Sequence, residues 1–319
     1  MRLSVIVPVY NGEQTLPACL QALREALVEG VEVLFVDDGS TDRTGALIDA
    51  AGFRRVSTPG RSGPAAARNL GVQESSGELI FFTDADVQVQ PGTLQRVLEV
   101  FDTDPGLAAL FGSYASTTPA PGFFSDYKNL THHWTHQNAR EQARSFWSGC
   151  GAVRRQVFEA VGGFDTQSYD GPQIEDIEFG ERMATAGHPI RIVKDLQVFH
   201  HKVYDARSLF QSDAYNRALP WTLLMLRTGR NHRDLNTKRR DAVGLALAWV
   251  LPASMLFPPA GAVLGAAYVA CNLRLLAFLL RQRGPAYAAK GLGARWLYHL
   301  AGGVGLGMGV AHHARSKLR

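Results

Sequence analysis

Three apolar runs, each ending in polar residues, are the feature that most restricts the fold of this chain. They read LSVIVPVYN at residues 3–11, VEVLFVDDGS at 31–40 and GELIFFTDAD at 77–86. Continuous apolar runs rich in β-branched residues are typical of parallel strands buried on both faces. Helically spaced leucines lie between the first two runs, at Leu16, Leu20, Leu23 and Leu27. Strands that alternate with helices in this way predict an α/β fold with a mostly parallel central sheet.

The polar ends of these runs predict a site at one edge of the sheet. Ligands of such sheets bind beyond the carboxyl ends of the strands, where YNGE, DDGSTD and TDAD all fall. Asp84 and Asp86 flank Ala85, and in an extended chain residues i and i+2 point to the same side. Two carboxylates held together are unfavourable unless a cation lies between them or one is protonated. The alternative is a surface turn, because Asp is common where strands end.

Composition and spacing narrow the class of protein. The net charge of +4 is mild, and much of the excess lies near apolar C-terminal segments, which fits anionic lipid headgroups better than nucleic acid. Three scattered cysteines without metal-ligand spacing indicate reduced thiols in the cytosol. No G-x-G-x-x-G follows the first run, so dinucleotide binding is disfavoured. The N-terminus, MRLSVIVPVYNG, is typical of a first strand rather than a signal peptide.

Several motifs in order over residues 3–202 resemble those of family 2 glycosyltransferases. They read SVIVPVYNGEQTLPACLQAL, VLFVDDGSTDRTG, GPAAARNLGVQESSGELIFFTDADV, and SGCGAVRRQVFEAVGGFD followed by EDIEFGERMATAGHPI. The resemblance implies the GT-A fold, which is Rossmann-like with a mostly parallel sheet. It also implies inverting transfer from a nucleotide sugar, typically UDP- or GDP-linked, with Mn²⁺ or Mg²⁺ as cofactor.

By the same resemblance, one set of residues is expected to bind the donor: Pro8, Tyr10, Glu13, Asp38, Arg68 and Asp84. Tyr10 would stack on the nucleobase, Asp38 would hydrogen-bond it, and Arg68 would lie near the diphosphate. Each has a structural alternative, namely a core aromatic, an Asp-Gly turn and a solvated helix arginine.

The metal is expected at Asp84, Asp86 and His200. Mg²⁺ or Mn²⁺ takes one or two carboxylates together with phosphate oxygens. The resemblance favours Asp86 as the direct ligand, with Asp84 reaching the ribose or the metal. His200 or His201 would add an imidazole, which suits Mn²⁺, or the two form a structural pair.

A second acidic pair, Glu175 and Asp176, resembles the family's catalytic E-D motif. Inverting transfer to a hydroxyl requires a base, and Asp176 is the candidate, with Glu175 orienting the acceptor or the base. Acids in a helix's first turn can also merely complement the macrodipole. Trp147 and Gly149, in the sequence FWSG, are expected to border the acceptor pocket; a core tryptophan is the alternative.

The C-terminal third predicts association with a membrane. The expected domains are a glycosyltransferase domain at 1–225, a basic linker at 226–240 and a membrane-associated helical region at 241–319. Within the last, a hairpin of two helices of ~20 residues is expected at about 241–280, a length that crosses a bilayer. Basic clusters on both sides of the hairpin predict cytoplasmic ends and a cytoplasmic catalytic domain.

The C-terminal region contains two further segments of interest, and the region as a whole has an alternative interpretation. A further apolar segment at about 296–311 either spans the bilayer or is an interfacial or re-entrant piece, and its glycines predict close helix packing. Residues 216–230 are typical of an amphipathic helix on a membrane surface. The alternative for the region is a buried soluble hairpin.

These patterns predict a membrane-anchored inverting glycosyltransferase that acts on a hydroxyl of a lipid or lipid-linked glycan. A polyprenyl phosphate is the rival acceptor; it is already ionised and needs no base. A non-catalytic scaffold that binds nucleotide sugar is the alternative from another class. Processive synthesis is disfavoured, because the region after the base motif reads DAYNRALPWT and lacks Q-x-x-R-W.

Overall fold

The computed structural model describes residues 1–169, 171–229 and 239–317. The chain divides into two compact units. Unit 1 comprises Met1–Ala120 and His136–Lys202, and unit 2 comprises Pro121–Thr135 and Val203–Arg319.

The domain ranges expected from the sequence, 1–225, 226–240 and 241–319, remain predictions, and the compact units have different bounds. Residues 203–225 and 121–135 group with the C-terminal helices. Most of the expected basic linker, 230–238, lies outside the described residues, as do the last two residues of the chain.

Unit 1 is built on a mixed sheet of nine strands in the described part of the chain. The strands are β1 (Leu3–Val9), β2 (Val31–Asp37), β3 (Arg54–Ser57), β4 (Leu79–Thr83), β5 (Val87–Val89), β6 (Ala109–Tyr114), β7 (Gln142–Ala143), β8 (Cys150–Arg154) and β9 (Ile190–His200). Their order is β3-β2-β1-β4-β8-β6-β9-β5, and β7 also pairs with β9. The first four are parallel, and β8 runs antiparallel to β4 and β6. The predicted α/β fold is confirmed.

The helices of the chain are α1 (Leu16–Ala26), α2 (Thr44–Ala50), α3 (Pro64–Gln73), α4 (Thr93–Thr103), α5 (Phe123–Gln137), α6 (Arg155–Ala160), α7 (Glu175–Thr185), α8 (Ala206–Asp213), α9 (Leu219–Thr228), α10 (Arg239–Ser254), α11 (Pro258–Arg283) and α12 (Pro285–Lys317). A π-helical turn, Ala214–Ala218, joins α8 to α9.

The core of unit 1 follows the apolar patterns of the sequence. Every residue of β1 and β4 is buried, as expected for strands covered on both faces. Leu16, Leu20 and Leu23 form the buried stripe of α1, which confirms the predicted strand–helix–strand unit. The three cysteines are free, as predicted.

Unit 2 consists of helices. Among the described residues one helix, α11, is long and apolar enough to cross a membrane. The hairpin was expected to hold two such helices; its first helix, α10, has 16 residues within the described part of the chain, and the hairpin stays a prediction. The break predicted at the Pro-Pro pair is present, and Met255, Leu256 and Phe257 between the helices are 71%, 80% and 70% exposed.

The glycines of α12 permit the close packing that their spacing predicts. A Cβ at Gly305 would lie 2.5 Å from the Ala214 carbonyl oxygen, and one at Gly309 would lie 2.7 Å from Thr222. The segment expected on a membrane surface forms α9, which packs on α12 with Trp221 and Leu224 buried.

Candidate active site at the carboxyl edge of the sheet

The loops that follow β1 and β2 are joined by side-chain hydrogen bonds. The Asn11 amide donates to Ser40 Oγ at 2.9 Å. Glu13 accepts from the Arg43 backbone and guanidinium, and these bonds lower the pKa of Glu13. The polar ends of β1 and β2 therefore meet at one edge of the sheet, as expected, and Glu13 links their two loops.

Tyr10 lies at the end of β1 and is 40% exposed. The Arg61 guanidinium lies 4.4 Å from the centroid of its ring, a cation–π arrangement. Sequence reasoning missed Arg61, which sits in a loop with no motif. Pro8 is buried within β1, opposite Val36 of β2. Base stacking on Tyr10 and donor contact by Pro8 remain predictions.

Asp38 organises the loop that follows β3. One carboxylate oxygen accepts from Thr58 Oγ1 at 2.9 Å and the Ser62 amide at 2.8 Å, and the other accepts from the Gly63 amide at 2.8 Å. These bonds fix the approach to α3. The expected contact of Asp38 with a base stays a prediction.

The D-A-D motif adopts a turn rather than the extended form assumed from the sequence. The Val87 amide donates to the Asp84 carbonyl at 3.0 Å, which closes the turn between β4 and β5. The two carboxylates consequently have different partners: Asp84 accepts from Arg68 at 2.8 Å, and Asp86 lies 3.4 Å from His200 Nε2. The extended conformation assumed for this motif was wrong, because the chain turns at this point to form β5, which pairs with β9.

Arg68 of α3 links the two acidic motifs. It is 4% exposed and donates through Nη1 to Glu175 at 2.9 Å and through Nη2 to Asp84 at 2.8 Å. Burial lowers the pKa of a guanidinium, but the charges of Asp84, Glu175 and Asp176 outweigh it and raise the pKa of Arg68. Its Nε is buried and has no hydrogen-bond partner among the described residues. The predicted contact of Arg68 with a diphosphate is untested.

Asp176 lies in the first turn of α7 and accepts hydrogen bonds from Ser148. Its Oδ2 accepts from the Ser148 amide at 3.1 Å and hydroxyl at 3.3 Å, and Oδ1 accepts from the Ile177 amide at 2.8 Å. The base candidate is thereby oriented by the loop expected to border the acceptor. Ser148 was missed in the sequence, where its position inside FWSG was the only signal.

Trp147 and Gly149 lie beside the D-A-D motif. Trp147 stacks on Tyr114 with centroids 4.3 Å apart, and a Cβ at Gly149 would lie 2.7 Å from its indole. The Thr83 hydroxyl donates to the Gly149 carbonyl at 3.1 Å, and Thr83 pairs with Cys150 across β4 and β8. The sheet register therefore places this loop next to Asp84.

Asp86 and His200, two of the expected metal ligands, lie side by side at the edge of the sheet. Burial alone would raise the pKa of Asp86, but His200 and Lys202 outweigh it and lower this pKa to about 2. The His200 ring contacts the Asp86 carboxylate, with Nε2 and Oδ2 3.4 Å apart, whereas the His201 ring lies 3.1 Å from Gln88 Oε1.

Across residues 1–169, 171–229 and 239–317, no three His, Cys, Asp or Glu side chains form a group able to hold a metal alone. Asp84 and Asp86 are about one-third exposed and offer hard oxygen ligands. The site fits an ion that takes its other ligands from a diphosphate, as Mg²⁺ often does.

Comparison with known proteins agrees with this geometry. The glycosyl transferase family 2 model matches residues 4–162. Teichoic acid poly(glycerol phosphate) polymerase of Staphylococcus epidermidis is 29% identical over 163 residues, 48% of this chain and 22% of that protein. Undecaprenyl-phosphate 4-deoxy-4-formamido-L-arabinose transferase of Pseudomonas aeruginosa is 37% identical over 105 residues, 30% of this chain and 31% of that protein.

Among solved structures, the mannosyltransferase PcManGT from Pyrobaculum calidifontis, in complex with GDP-Man and Mn²⁺, superimposes with a TM-score of 0.63. Identity is 20%, and the match covers 96% of this chain and 86% of that one. Both curated relatives are matched over less than one third of their own length. The family model, the relatives and the fold agree: the chain belongs to glycosyl transferase family 2 and has the GT-A fold.

Proposed function

We propose that this protein is a membrane-anchored inverting glycosyltransferase. It transfers a sugar from a UDP- or GDP-linked donor to a hydroxyl of a lipid or lipid-linked glycan, with Mn²⁺ or Mg²⁺ as cofactor. The catalytic unit works on the cytoplasmic side of the membrane, where nucleotide sugars are made.

The observation that carries this proposal is the continuous link between the two acidic motifs. Arg68 bonds to Asp84 and Glu175 at once, and Asp176 follows Glu175 directly in α7. A buried guanidinium that holds two carboxylates fixes Asp84, expected to bind the nucleotide sugar, relative to the catalytic base Asp176. Positioning of this kind supplies a large part of the rate of a group transfer.

Asp176 acts as the base. Both donors of Ser148 orient its Oδ2, and the carboxylate so oriented takes the proton of the acceptor hydroxyl. The hydroxyl oxygen attacks the anomeric carbon opposite the diphosphate, and the configuration inverts. Trp147, stacked on Tyr114, forms a flat apolar wall suited to a sugar or an isoprenoid face.

The donor is held at the other end of the edge. Tyr10 stacks on the nucleobase, and Asp84, Asp86 and His200 would hold the divalent cation. When bound, the cation neutralises charge that develops on the leaving diphosphate.

Membrane anchoring rests on α11 and on the apolar side chains that unit 2 leaves exposed. α11 is long enough to span, and the three residues before it are apolar and more than two-thirds exposed. Exposed apolar surface of this extent is typical of contact with lipid or with another protein.

The base assignment is tested with Asp176→Asn in the full chain. We expect kcat for transfer to a hydroxyl acceptor to fall about 10²–10⁴-fold with donor affinity unchanged, because the amide cannot take the proton. Asp195→Asn is the matched control, since Asp195 is 64% exposed and pairs with Arg96. Transfer by Asp176→Asn at nearly the parent rate would refute the assignment.

A polyprenyl phosphate acceptor is the second candidate, supported by the Pseudomonas aeruginosa relative, which is named as an undecaprenyl-phosphate sugar transferase. A phosphate acceptor is already ionised, so its transfer should survive Asp176→Asn. Assaying parent and variant with both kinds of acceptor separates the two functions. Donor binding without turnover of any acceptor would instead favour a non-catalytic scaffold.

A further inference from the structure

Unit 2 contains a partly open cavity of about 620 Å³ that the transfer reaction does not account for. Its walls come from α5, the end of α8, the π-helical turn, α9, α10 and α12. The cavity combines charged, hydrogen-bonding and apolar groups, and each set bears on what it binds.

Two of the three cations in the wall are neutralised by carboxylates. Lys128 pairs with Asp213, with both side chains over nine-tenths buried, and Arg295 pairs with Asp241. The third cation is Arg217.

Arg217 has a different kind of partner. Its Nη1 lies 3.1 Å from His132 Nε2, and among the described residues it has no carboxylate partner. A guanidinium always carries its charge, so the wall has one positive charge in excess. Such a charge in a partly enclosed space favours an anion.

Two residues that line the cavity carry buried polar atoms without hydrogen-bond partners in the described part of the chain. Trp221 is 7% exposed, and its indole nitrogen is buried with no hydrogen-bond partner in the described part of the chain. His299 is 2% exposed; its Nδ1 contacts the Tyr268 hydroxyl at 2.8 Å, while Nε2 is unpartnered. Unpaired buried polar groups are costly, and an indole N–H can only donate.

The rest of the lining is apolar, including Met225, Leu245 and Leu306. A free phosphate or a nucleotide would leave these side chains without apolar contact. A hydrocarbon chain attached to an anionic head satisfies the apolar wall, the guanidinium and the indole donor together. A phosphate suits the head, because its several oxygens can accept from more than one donor.

We propose that the cavity of unit 2 binds the phosphate head group of a membrane lipid, with Arg217 as its counter-charge and the Trp221 indole as a hydrogen-bond donor. This site is additional to the proposed transferase reaction and does not depend on it.

The proposal is tested by titrating the full chain in dodecyl maltoside with farnesyl phosphate. Isothermal titration calorimetry measures the affinity, and no nucleotide sugar is present. We expect farnesyl phosphate to bind at least about tenfold more tightly than farnesol, as a charge-assisted hydrogen bond predicts. Inorganic phosphate alone should bind weakly, because it gains nothing from the apolar wall. Equal affinities for farnesyl phosphate and farnesol would overturn the proposal.

Variants locate the site. Arg217→Ala should weaken farnesyl phosphate binding about tenfold or more, and Trp221→Phe, which keeps the ring and loses the donor, about threefold. Arg207→Ala is the matched control, because Arg207 is an exposed arginine of α8 outside the cavity. Thr131→Trp fills the cavity without changing charge and should abolish binding; parent affinity in both Arg217→Ala and Thr131→Trp would refute the site.

A comparison of farnesyl phosphate with dioleoylphosphatidic acid shows which class of lipid phosphate the cavity prefers. Tighter binding of farnesyl phosphate, lost in Arg217→Ala, supports a single-chain isoprenoid phosphate. Tighter binding of phosphatidic acid, lost in the same variant, supports a resident glycerophospholipid. Because the titrations contain no nucleotide sugar, their result does not depend on whether the transfer reaction is assigned correctly.

Discussion

The carboxyl edge of the sheet in unit 1 and the cavity of unit 2 carry opposite excesses of charge. The edge has Asp84, Asp86, Glu175 and Asp176 with Arg68, and the cavity has Lys128, Arg217 and Arg295 with Asp213 and Asp241. Acids outnumber the buried cation in the first, which favours a bound cation. Cations outnumber acids in the second, which favours a bound anion.

The two regions also pair their buried cations differently. Arg68 holds two carboxylates through the two ends of one planar group, while Lys128 holds Asp213 alone. A planar guanidinium that bonds to two motifs fixes their positions relative to each other, whereas a single ion pair mainly neutralises a charge. The difference indicates that Arg68 serves positioning as well as stability, and the following experiments test it.

The largest expected effect is on the acidic edge. Asp86→Ala should lower metal-dependent transfer about 10³-fold, because charge on the leaving group is no longer neutralised. Initial rates at saturating Mn²⁺ measure it. The exposed Asp102, paired with Arg2, provides the control Asp102→Ala. If activity stays within tenfold of the parent, the edge does not hold the cation.

Arg68→Met should cost about 3–5 kcal/mol in the free energy of unfolding, because Glu175 is left charged and buried. Hydrogen exchange of the β1 and β4 amides in the full chain reports this loss for unit 1. Arg68→Lys keeps the charge without the fork, so it should recover stability better than activity. Equal recovery of both would contradict a positioning role.

Lys128→Met should destabilise unit 2 by about 3 kcal/mol for the same reason, since Asp213 is 3% exposed. The double variant Lys128→Met with Asp213→Leu should lie within about 1 kcal/mol of the parent, because it removes both charges. Hydrogen exchange of α5 and α8 amides measures both. A double variant as unstable as the single one would show that this pair, like Arg68, fixes a geometry.

The smallest effect concerns Glu32, a carboxylate of unit 1 outside the site. Burial would raise its pKa, but hydrogen bonds from Ser4 and Ser76 outweigh it and lower the pKa. A lowered folded-state pKa stabilises the fold above the unfolded-state pKa, and this contribution is lost as the pH falls. Glu32→Gln should cost about 1 kcal/mol at pH 7 and less below about pH 4. Denaturation midpoints of parent and variant at both pH values measure it, and an identical difference at each would contradict this account.

The strands and the location of the edge could be predicted because both depend on neighbouring residues. The apolar runs of β1, β2 and β4 and the polar residues that end them are continuous in sequence. Their burial in a parallel sheet places these ends at one edge.

The internal geometry of the edge could not be predicted, because it depends on distant pairs. Arg68 and Glu175 are 107 positions apart, and Ser148 and Asp176 are 28 apart. The turn at Asp84–Asp86 likewise depends on β9, which pairs with β5. The motifs predicted most of the residues at the edge, but the contacts between their side chains depend on tertiary pairing.

The membership of α5 in unit 2 has a consequence for how the chain acquires its structure during synthesis. Tyr127 and Leu130 pack on Leu275 and Leu279, and Asp126 pairs with Arg283, 157 positions later. A ribosome therefore releases α5 long before its partners exist, and its apolar face must stay unburied or be shielded until α11 emerges. A chain that ends at Lys202 would keep the apolar face of α5 without α11 to cover it, so aggregation of such a fragment would be expected even if the sheet itself folds.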